Sequence, residues 1–440
     1  MKYTINSTTE QLKSTGGLAL VGPIIKKIGF DFTDSEAKRE MKKPEVLRVL
    51  TGLFVQGRSS FEEISLFRHD SFFADTLKLS YVPAPETLRL YTEQVAGNYS
   101  YAQERIQQSN TQLLNLNKLS PVTAPLGSYI PVDCDVSPLN NDKSNKEGVS
   151  RTYKGFDGYA PTFSYIGAEG YMLDCDLRIG KQHCQKDTPQ FLARNLAIIE
   201  DLELDHPILF RLDGGYDAAS TLKVLANSGH FFLVRHNLRK QFSQTWLEIA
   251  KAEGKVTYKS SHKTVYTGFH TGRTPGGDDS IPAMDLVFKV TERYKDAEGN
   301  PLLINDIEVE AFWTNLYEDP CSVIALYHDH GTSEQFHSEL KSDMGIERLP
   351  SGKFLVNALL LQVSMISFNI LRMIGQCALA FPALLPYPAT GKRKRLRKVI
   401  DDLIRVACKV VSHARVRYLK LWDKDPWLPV FSQLHALLTA

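Results

Sequence analysis

Residues 207–217, PILFRLDGGYD, limit the fold more than any other stretch. Ile208, Leu209 and Phe210 form an unbroken apolar run, the pattern of a short strand buried on both faces. The run ends at Asp213, and Gly214 and Gly215 break it ahead of a segment patterned as a helix over 218–228. An acid at the carboxyl end of a buried strand, followed by a glycine turn and a helix, stands where open α/β sheets place ligand groups. Taken alone, such an aspartate is explained as well by a turn or a cap.

Two further acid-bearing stretches share this chain. In residues 128–138, SYIPVDCDVSP, the residues Tyr129, Pro131, Asp133 and Asp135 alternate with Ile130, Val132, Cys134 and Val136. That is the period of a strand, and it puts Asp133 and Asp135 on one face. Residues 327–341 read YHDHGTSEQFHSELK and predict a helix from Thr332 on, capped by Thr332 or Ser333. On that helix Glu334, His337 and Lys341 share one narrow face, and Phe336, Leu340 and Met344 form a core stripe on another. A carboxylate beside basic groups suits a hard metal ion and a polyanion. A solvated face of i,i+4 charge pairs is the plainer alternative. Two strand aspartates and a helix glutamate in this order are harder to attribute to chance than any one of them.

These stretches resemble the bacterial insertion-sequence transposases of the DDE class. The spacing Tyr327, two residues, His330, three residues, Glu334, six residues, Lys341 resembles that class's Y-R-E-K signature, with His330 where the family has arginine. The blocks DCDVSP, YKGFDGYAP, LRIGKQH, RLDGGYD, FWTNL and HGTSEQFHSELK resemble, in order, those of the insertion-sequence thirteen-eighty family. The likeness covers residues 128–360, with a weaker match in the first hundred. It implies an α/β fold: an RNase H-like catalytic core interrupted by a β-rich insertion, with N-terminal and C-terminal helical regions. The strand order agrees, since three hairpin strands followed by alternating strand and helix make an RNase H-like sheet.

The resemblance also implies chemistry. Asp135, Asp213 and Glu334 become the catalytic, metal-binding acids. Asp135 is preferred in the first strand because Val136 and Ser137 complete a D-x-S pattern, and Asp133 on the same face is the alternative. Two Mg²⁺ or Mn²⁺ ions per active site, about 4 Å apart, can activate a water, neutralise the phosphorane-like transition state and stabilise the leaving group. Water would cut first, and the freed 3′-hydroxyl would then attack target DNA. Tyr327, His330, His337 and Lys341 are expected at DNA near the cut, with Arg151, Lys154, Arg178 and Lys181 as further contacts. The partners implied are double-stranded DNA, as transposon ends and as target, and a second copy of the chain in a homodimer.

At 440 residues the chain has room for two to four structural units. The net charge is only +2, so a DNA surface must come from local clustering. The densest cluster is GKRKRLRK, where Lys392, Arg393, Lys394, Arg395, Arg397 and Lys398 form a candidate phosphate-tracking patch, with His413, Arg415 and Arg417 adding to it. The six cysteines have neither CxxC nor zinc-finger spacing, so a reduced cytoplasmic protein with free thiols is expected, and the resemblance implies association with the bacterial nucleoid. Residues 354–374 are apolar but interrupted by Asn357, Gln362, Ser364, Ser367, Asn369 and Arg372, which favours a buried helix over a membrane span.

The expected organisation is a helical domain at 1–95, in which Pro23 breaks the first helix, and a linker helix at 96–125. The resemblance implies that the 1–95 domain is DNA-binding, and by its pattern alone it reads equally as a generic helical domain. The core follows at 126–236, a β-rich insertion at 237–305, the rest of the core at 306–375, and a basic helical region at 376–440. Within the insertion, Trp246 is a candidate for stacking on a displaced base. Two other functions fit the same residues: an RNase H-like nuclease or resolvase without strand transfer, and a domesticated DNA-binding protein. Intact Asp135, Asp213 and Glu334 argue against the last.

Overall fold

The computed structural model describes residues 5, 10, 12–30, 41–125, 127–277, 281–388, 391–413 and 416–440. At its centre is a mixed sheet of ten strands. These are β1 (Val122–Ala124), β2 (Gly127–Val136), β3 (Thr162–Ile166), β4 (Tyr171–Asp176), β5 (Ile208–Leu212), β6 (Phe231–Arg235), β7 (Lys255–Lys259), β8 (Lys263–Arg273), β9 (Met284–Lys295) and β10 (Pro301–Thr314). They run across the sheet in the order β7-β8-β9-β10-β6-β5-β2-β3-β4, with β1 paired to β2.

The middle of the sheet is parallel. β2 lies parallel to β5, and β5 parallel to β6. Helices Thr188–Glu200 and Ala219–Asn227 make the connections into and out of β5. β5 is buried at every position, as its unbroken apolar run requires. On one side β2, β3 and β4 form an antiparallel meander. The turn between β3 and β4 contains Gly170 at φ 71°, and a Cβ there would lie 2.1 Å from Phe336 Cζ. Only glycine fits both the left-handed backbone and the close approach of that ring.

On the other side, β7 to β10 form a second antiparallel meander, and β10 pairs antiparallel with β6. The β-rich segment therefore extends the central sheet. Its last strand runs on to Thr314, beyond the expected boundary at residue 305, because Ala311, Phe312 and Trp313 are buried against the core. Trp246 is buried beside these strands, with its indole N–H donated to Gln241 Oε1 at 2.8 Å. In this packing the ring is 3 % exposed and borders a cavity of about 500 Å³ together with His236, His270 and Trp313.

The β4 edge is closed by helix Phe354–Leu379, which is long and apolar enough to cross a membrane but is 89 % buried in protein over its most apolar window. Its polar interruptions cover the strand edge. Asn369 accepts the Met172 N–H and donates to the Met172 carbonyl, both at 2.7 Å. Gln362 donates to the Cys175 carbonyl, and Asn110 of helix Tyr99–Asn115 to the Leu173 carbonyl at 3.0 Å. Buried amides thus satisfy backbone groups that would otherwise form an open edge.

Two terminal features differ from expectation. Helix Leu18–Ile28 continues through Pro23, because Leu18, Leu20, Val21, Ile24, Ile25 and Ile28 all bury on its inner side and outweigh one lost backbone bond. The C-terminal region is not all helical. Cys408–His413 and Val416–Leu421 form a hairpin that also pairs with Leu12–Lys13, so both ends of the chain share one small sheet. Their β-branched and aromatic alternation, CKVVSH and VRYLKL, favours strand over helix.

Candidate active site

The parallel pairing of β2 with β5 sets the site. Asp133 is in register with Arg211, and Cys134 with Leu212. One step further along, Asp135 and Asp213 emerge together at the carboxyl ends of the two strands, at the mouth that the glycine turn opens.

Asp133 and Asp135 share a face but not their partners. Asp133 lies a full strand repeat deeper and is 3 % exposed. Arg211 donates two hydrogen bonds to it, at 2.6 and 2.7 Å, and a third to the Leu326 carbonyl at 2.7 Å. His330 Nδ1 sits 3.0 Å from Asp133 Oδ1, an ion-pair contact that lies outside hydrogen-bond angle. Burial pushes the Asp133 pKa up, but Arg211 and His330 outweigh it and hold it below the usual value. For His330 burial pulls the other way, and the Asp133 charge overcomes it to raise the pKa.

Asp135 opens onto a cavity of about 600 Å³ that Asp213, Glu334, His337, Lys341 and Lys154 also line. Its Oδ1 accepts the Val136 N–H at 2.7 Å and its Oδ2 is 3.1 Å from His337 Nε2. The other ring nitrogen of His337 is 3.1 Å from the Tyr165 hydroxyl. Burial pushes Asp135 up, and the His337 contact outweighs it so that its pKa falls below normal. Burial lowers the His337 pKa. Asp213 caps the turn after β5, accepting the Gly215 N–H at 3.0 Å. Burial, then the charge of Asp135, raises its pKa.

Glu334 is on the short helix Ser333–Ser338, which passes into a single π-turn at Glu339–Asp343. Phe336, Leu340 and Met344 are buried as the core stripe requires. The Thr332 side chain, one of the two expected caps, lies outside the described residues. Glu334 is exposed, and none of the described residues engages its carboxylate. Among the described residues no three His, Cys, Asp or Glu side chains are already gathered as a metal cluster. The two aspartates face the cavity from one wall and Glu334 from another.

The basic residues divide. Lys341 reaches the cavity and donates to the Pro138 carbonyl at 2.7 Å, with its pKa lowered by burial. Lys154 lines the same cavity, while Arg151 and Lys181 line an adjoining one that also borders Asp135 and Asp213. Arg178, expected at DNA, is instead 2 % exposed and donates to the Cys184 carbonyl at 3.1 Å. His330 and His337 are buried on the two aspartates, and Tyr327 is buried against Phe312 with ring centroids 4.3 Å apart. As they stand all three hold protein groups, and His330 and His337 also border the cavity.

The segment GKRKRLRK is docked on the Glu334 helix. Arg395 and Arg397 both pair with Asp343, at 2.9 and 3.3 Å, and Asp343 is buried. Lys394 pairs with Asp402 at 3.0 Å and stacks over Trp427, and Arg393 donates to Gln335 and lies over Phe336. Lys392 and Lys398 stay exposed. Lys392, Arg393 and Arg395 line a second cavity of about 440 Å³ together with Glu334. Arg417 pairs with Asp75, and Arg415 lies outside the described residues.

Three residues escaped the sequence reading. Arg211 is the clearest: a charge inside a buried apolar run must have a buried partner, and that signal was present in ILFRL. Tyr165 gave no signal beyond an aromatic in a strand. Arg235, whose charge opposes the rise of the Asp213 pKa, ends β6 and reads as an ordinary surface residue.

The family model described as Transposase DDE domain group 1 matches residues 2–440. No curated protein matches the chain in sequence. Among solved structures the chain is similar to a piggyBac transposase in a synaptic complex with hairpin DNA, at 10 % identity and a TM-score of 0.41, covering 89 % of this chain and 80 % of that one.

Proposed function

We infer the chemistry of this site from one premise: the chain belongs to the Transposase DDE domain group 1 family and is a DNA transposase, a DDE-type nuclease and transesterase. Membership carries a general dependence on divalent metal and an action on DNA. The reading proposed here is that Asp135, Asp213 and Glu334 are the family's acids, and that they cut and join DNA in the cavity they line.

The observation that carries this reading is the pairing at the strand ends. Burial and the Asp135 charge together raise the Asp213 pKa, so two carboxylates crowd one cavity wall and a cation would relieve them. The donors are all oxygen, which fits a hard divalent ion, and the unengaged Glu334 is free to turn in as the third. Two Mg²⁺ or Mn²⁺ ions are proposed for the site. Bound there, such ions neutralise charge on the phosphoryl group and lower the pKa of a bound water. The protein's own share is orientation and charge. Val136 and His337 fix Asp135, Gly215 fixes Asp213, and Lys341 and Lys154 offer positive charge to the DNA backbone at the cavity rim.

The strand order β4-β3-β2-β5-β6, with the first three antiparallel and the last three parallel, supports an RNase H-like core extended by β7 to β10. The ordered sequence blocks support an origin in a bacterial insertion sequence of the thirteen-eighty family, and with it a cytoplasmic, nucleoid-associated enzyme. Joining two element ends to one target needs two active sites at fixed separation, which supports a homodimer holding the terminal repeats.

The test is excision from a supercoiled plasmid carrying the gene with its native flanking DNA, with Mg²⁺ or Mn²⁺ present. Asp135→Asn, Asp213→Asn and Glu334→Gln should each abolish excision and strand transfer while DNA binding remains. Cleavage without joining by the wild type would favour the nuclease reading. Full activity of any of the three variants would remove that residue from the site.

A further inference from the structure

Among the described residues, Asp135 is the only one of the three proposed acids held by a side chain, and that side chain is itself held. His337 Nε2 is 3.1 Å from Asp135 Oδ2, and His337 Nδ1 is 3.1 Å from the Tyr165 hydroxyl. Both His337 and Tyr165 are buried, at 5 % and 1 % exposure. The hydrogen-bond roles follow from what each atom can do. A carboxylate oxygen only accepts, so Nε2 carries the proton towards Asp135. Nδ1 then has a free lone pair and accepts from the Tyr165 O–H. Tyr165 thus selects the tautomer that His337 needs. The imidazole also lies 5.3 Å, centroid to centroid, from both the Tyr165 and Phe163 rings, which limits its tilt.

We propose that His337, oriented by Tyr165, is a positioning residue for Asp135: it holds the carboxylate so that its remaining lone pairs face the cavity. This rests on Asp135 being the first-strand acid. Asp135 Oδ1 is tied to the Val136 N–H at 2.7 Å, so the two contacts grip both oxygens and leave the side chain one orientation. Without His337 the Val136 bond alone would allow the carboxylate to rotate about its Cβ–Cγ bond. The arrangement resembles second-layer histidine and carboxylate pairs that orient metal ligands, whose removal typically costs about 10- to 100-fold in metal affinity or activity. Placing the histidine three residues after Glu334 also ties the first-strand acid to the helix that carries the last one. Movement of that helix would then move both acids together.

The experiment compares His337→Gln, His337→Ala, Tyr165→Phe and Asp135→Asn in the full-length chain. The readouts are Mn²⁺ binding to the DNA-free protein by electron paramagnetic resonance, plasmid excision rate, and thermal midpoint. Glutamine can present an amide N–H to Asp135, whereas alanine cannot. The proposal expects His337→Ala to weaken Mn²⁺ binding and slow excision by about 10- to 100-fold. It expects His337→Gln to recover most of both, at a thermal midpoint no higher than that of His337→Ala. Tyr165→Phe keeps the ring packing and removes only the hydroxyl, and it should shift both readouts in the same direction by a smaller factor. The proposal is overturned if His337→Ala binds Mn²⁺ and excises like the wild type. It is also overturned if both readouts follow the thermal midpoint across the set with no rescue by glutamine. If Asp135→Asn still cuts, the assignment of the first acid fails and this proposal falls with it. A dead Asp135→Asn beside a fully active His337→Ala removes the proposal alone.

Discussion

Replacing Arg211 with methionine should destabilise the whole core, by an amount that depends on pH. Arg211 is 1 % exposed, makes two bonds to Asp133 and a third to the Leu326 carbonyl, and so joins β2, β5 and the end of helix Pro320–His328. Methionine fills much of its volume but leaves the Asp133 carboxylate buried without its main counter-charge. Breaking one side of a buried pair in this way costs about 3–5 kcal/mol. His330 partly offsets the loss. Its pKa is raised in the folded state, so its stabilising contribution is complete below the unfolded histidine value and is lost as pH rises through the folded one. The variant should therefore lose less at pH 6 than at pH 8.5. At about 2 °C per kcal/mol, the low end for domains smaller than this chain, the midpoint should fall by roughly 6–10 °C at the higher pH. Thermal unfolding followed by circular dichroism at both pH values measures this. Adding Asp133→Leu should restore most of the loss, because it removes the stranded charge. A midpoint within about 1 °C of wild type at both pH values, or a double variant that is simply the sum of two losses, would refute the reasoning.

Asp133→Asn should keep excision activity in its folded fraction, in contrast to Asp135→Asn, as measured by plasmid excision below the thermal midpoint. Asp213→Asn should melt higher than wild type at pH 7. The raised Asp213 pKa means its stabilising protonated form is present below the unfolded carboxylate value and lost as pH rises through the folded one, so the ionised group is a burden at neutral pH. A midpoint equal to or below wild type at pH 7 would contradict that. Gly170→Ala should cost about 1–3 kcal/mol and slow excision, since its Cβ would push Phe336 and with it the Glu334 helix; unchanged activity at full occupancy of the folded state would count against it. Arg395→Ala with Arg397→Ala should lower the thermal midpoint by unpairing buried Asp343, whereas Lys392→Ala with Lys398→Ala should leave the midpoint alone and reduce the salt slope of DNA binding by about 2.

Local pattern carried most of the central sheet into view. The alternation through Tyr129 to Val136 and the apolar run before Asp213 placed β2 and β5, and helical spacing put Phe336, Leu340 and Met344 inside. These are periodic signals that one segment contains by itself. What the pattern could not decide was depth. Asp133 and Asp135 look alike at strand period, and only the register of β2 against β5 sets Asp133 opposite Arg211. The same limit explains the basic residues. A run such as GKRKRLRK reads as solvated charge or a DNA patch, because Asp343 and Asp402, which absorb Arg395, Arg397 and Lys394, are neighbours only in space. The C-terminal hairpin was missed for a related reason. Its pairing partner, Leu12–Lys13, stands at the other end of the chain.

The account turns on Asp135, Asp213 and Glu334 holding divalent metal in one cavity. Crystals grown with Mn²⁺ and end DNA, with data collected at the manganese absorption edge, test it most directly. The account predicts anomalous peaks bounded by the carboxylates of Asp135 and Asp213, with Glu334 turned in to complete the set and Asp133 still on Arg211. Manganese bound elsewhere, or bound to Asp133 with Asp135 left on His337, would contradict it.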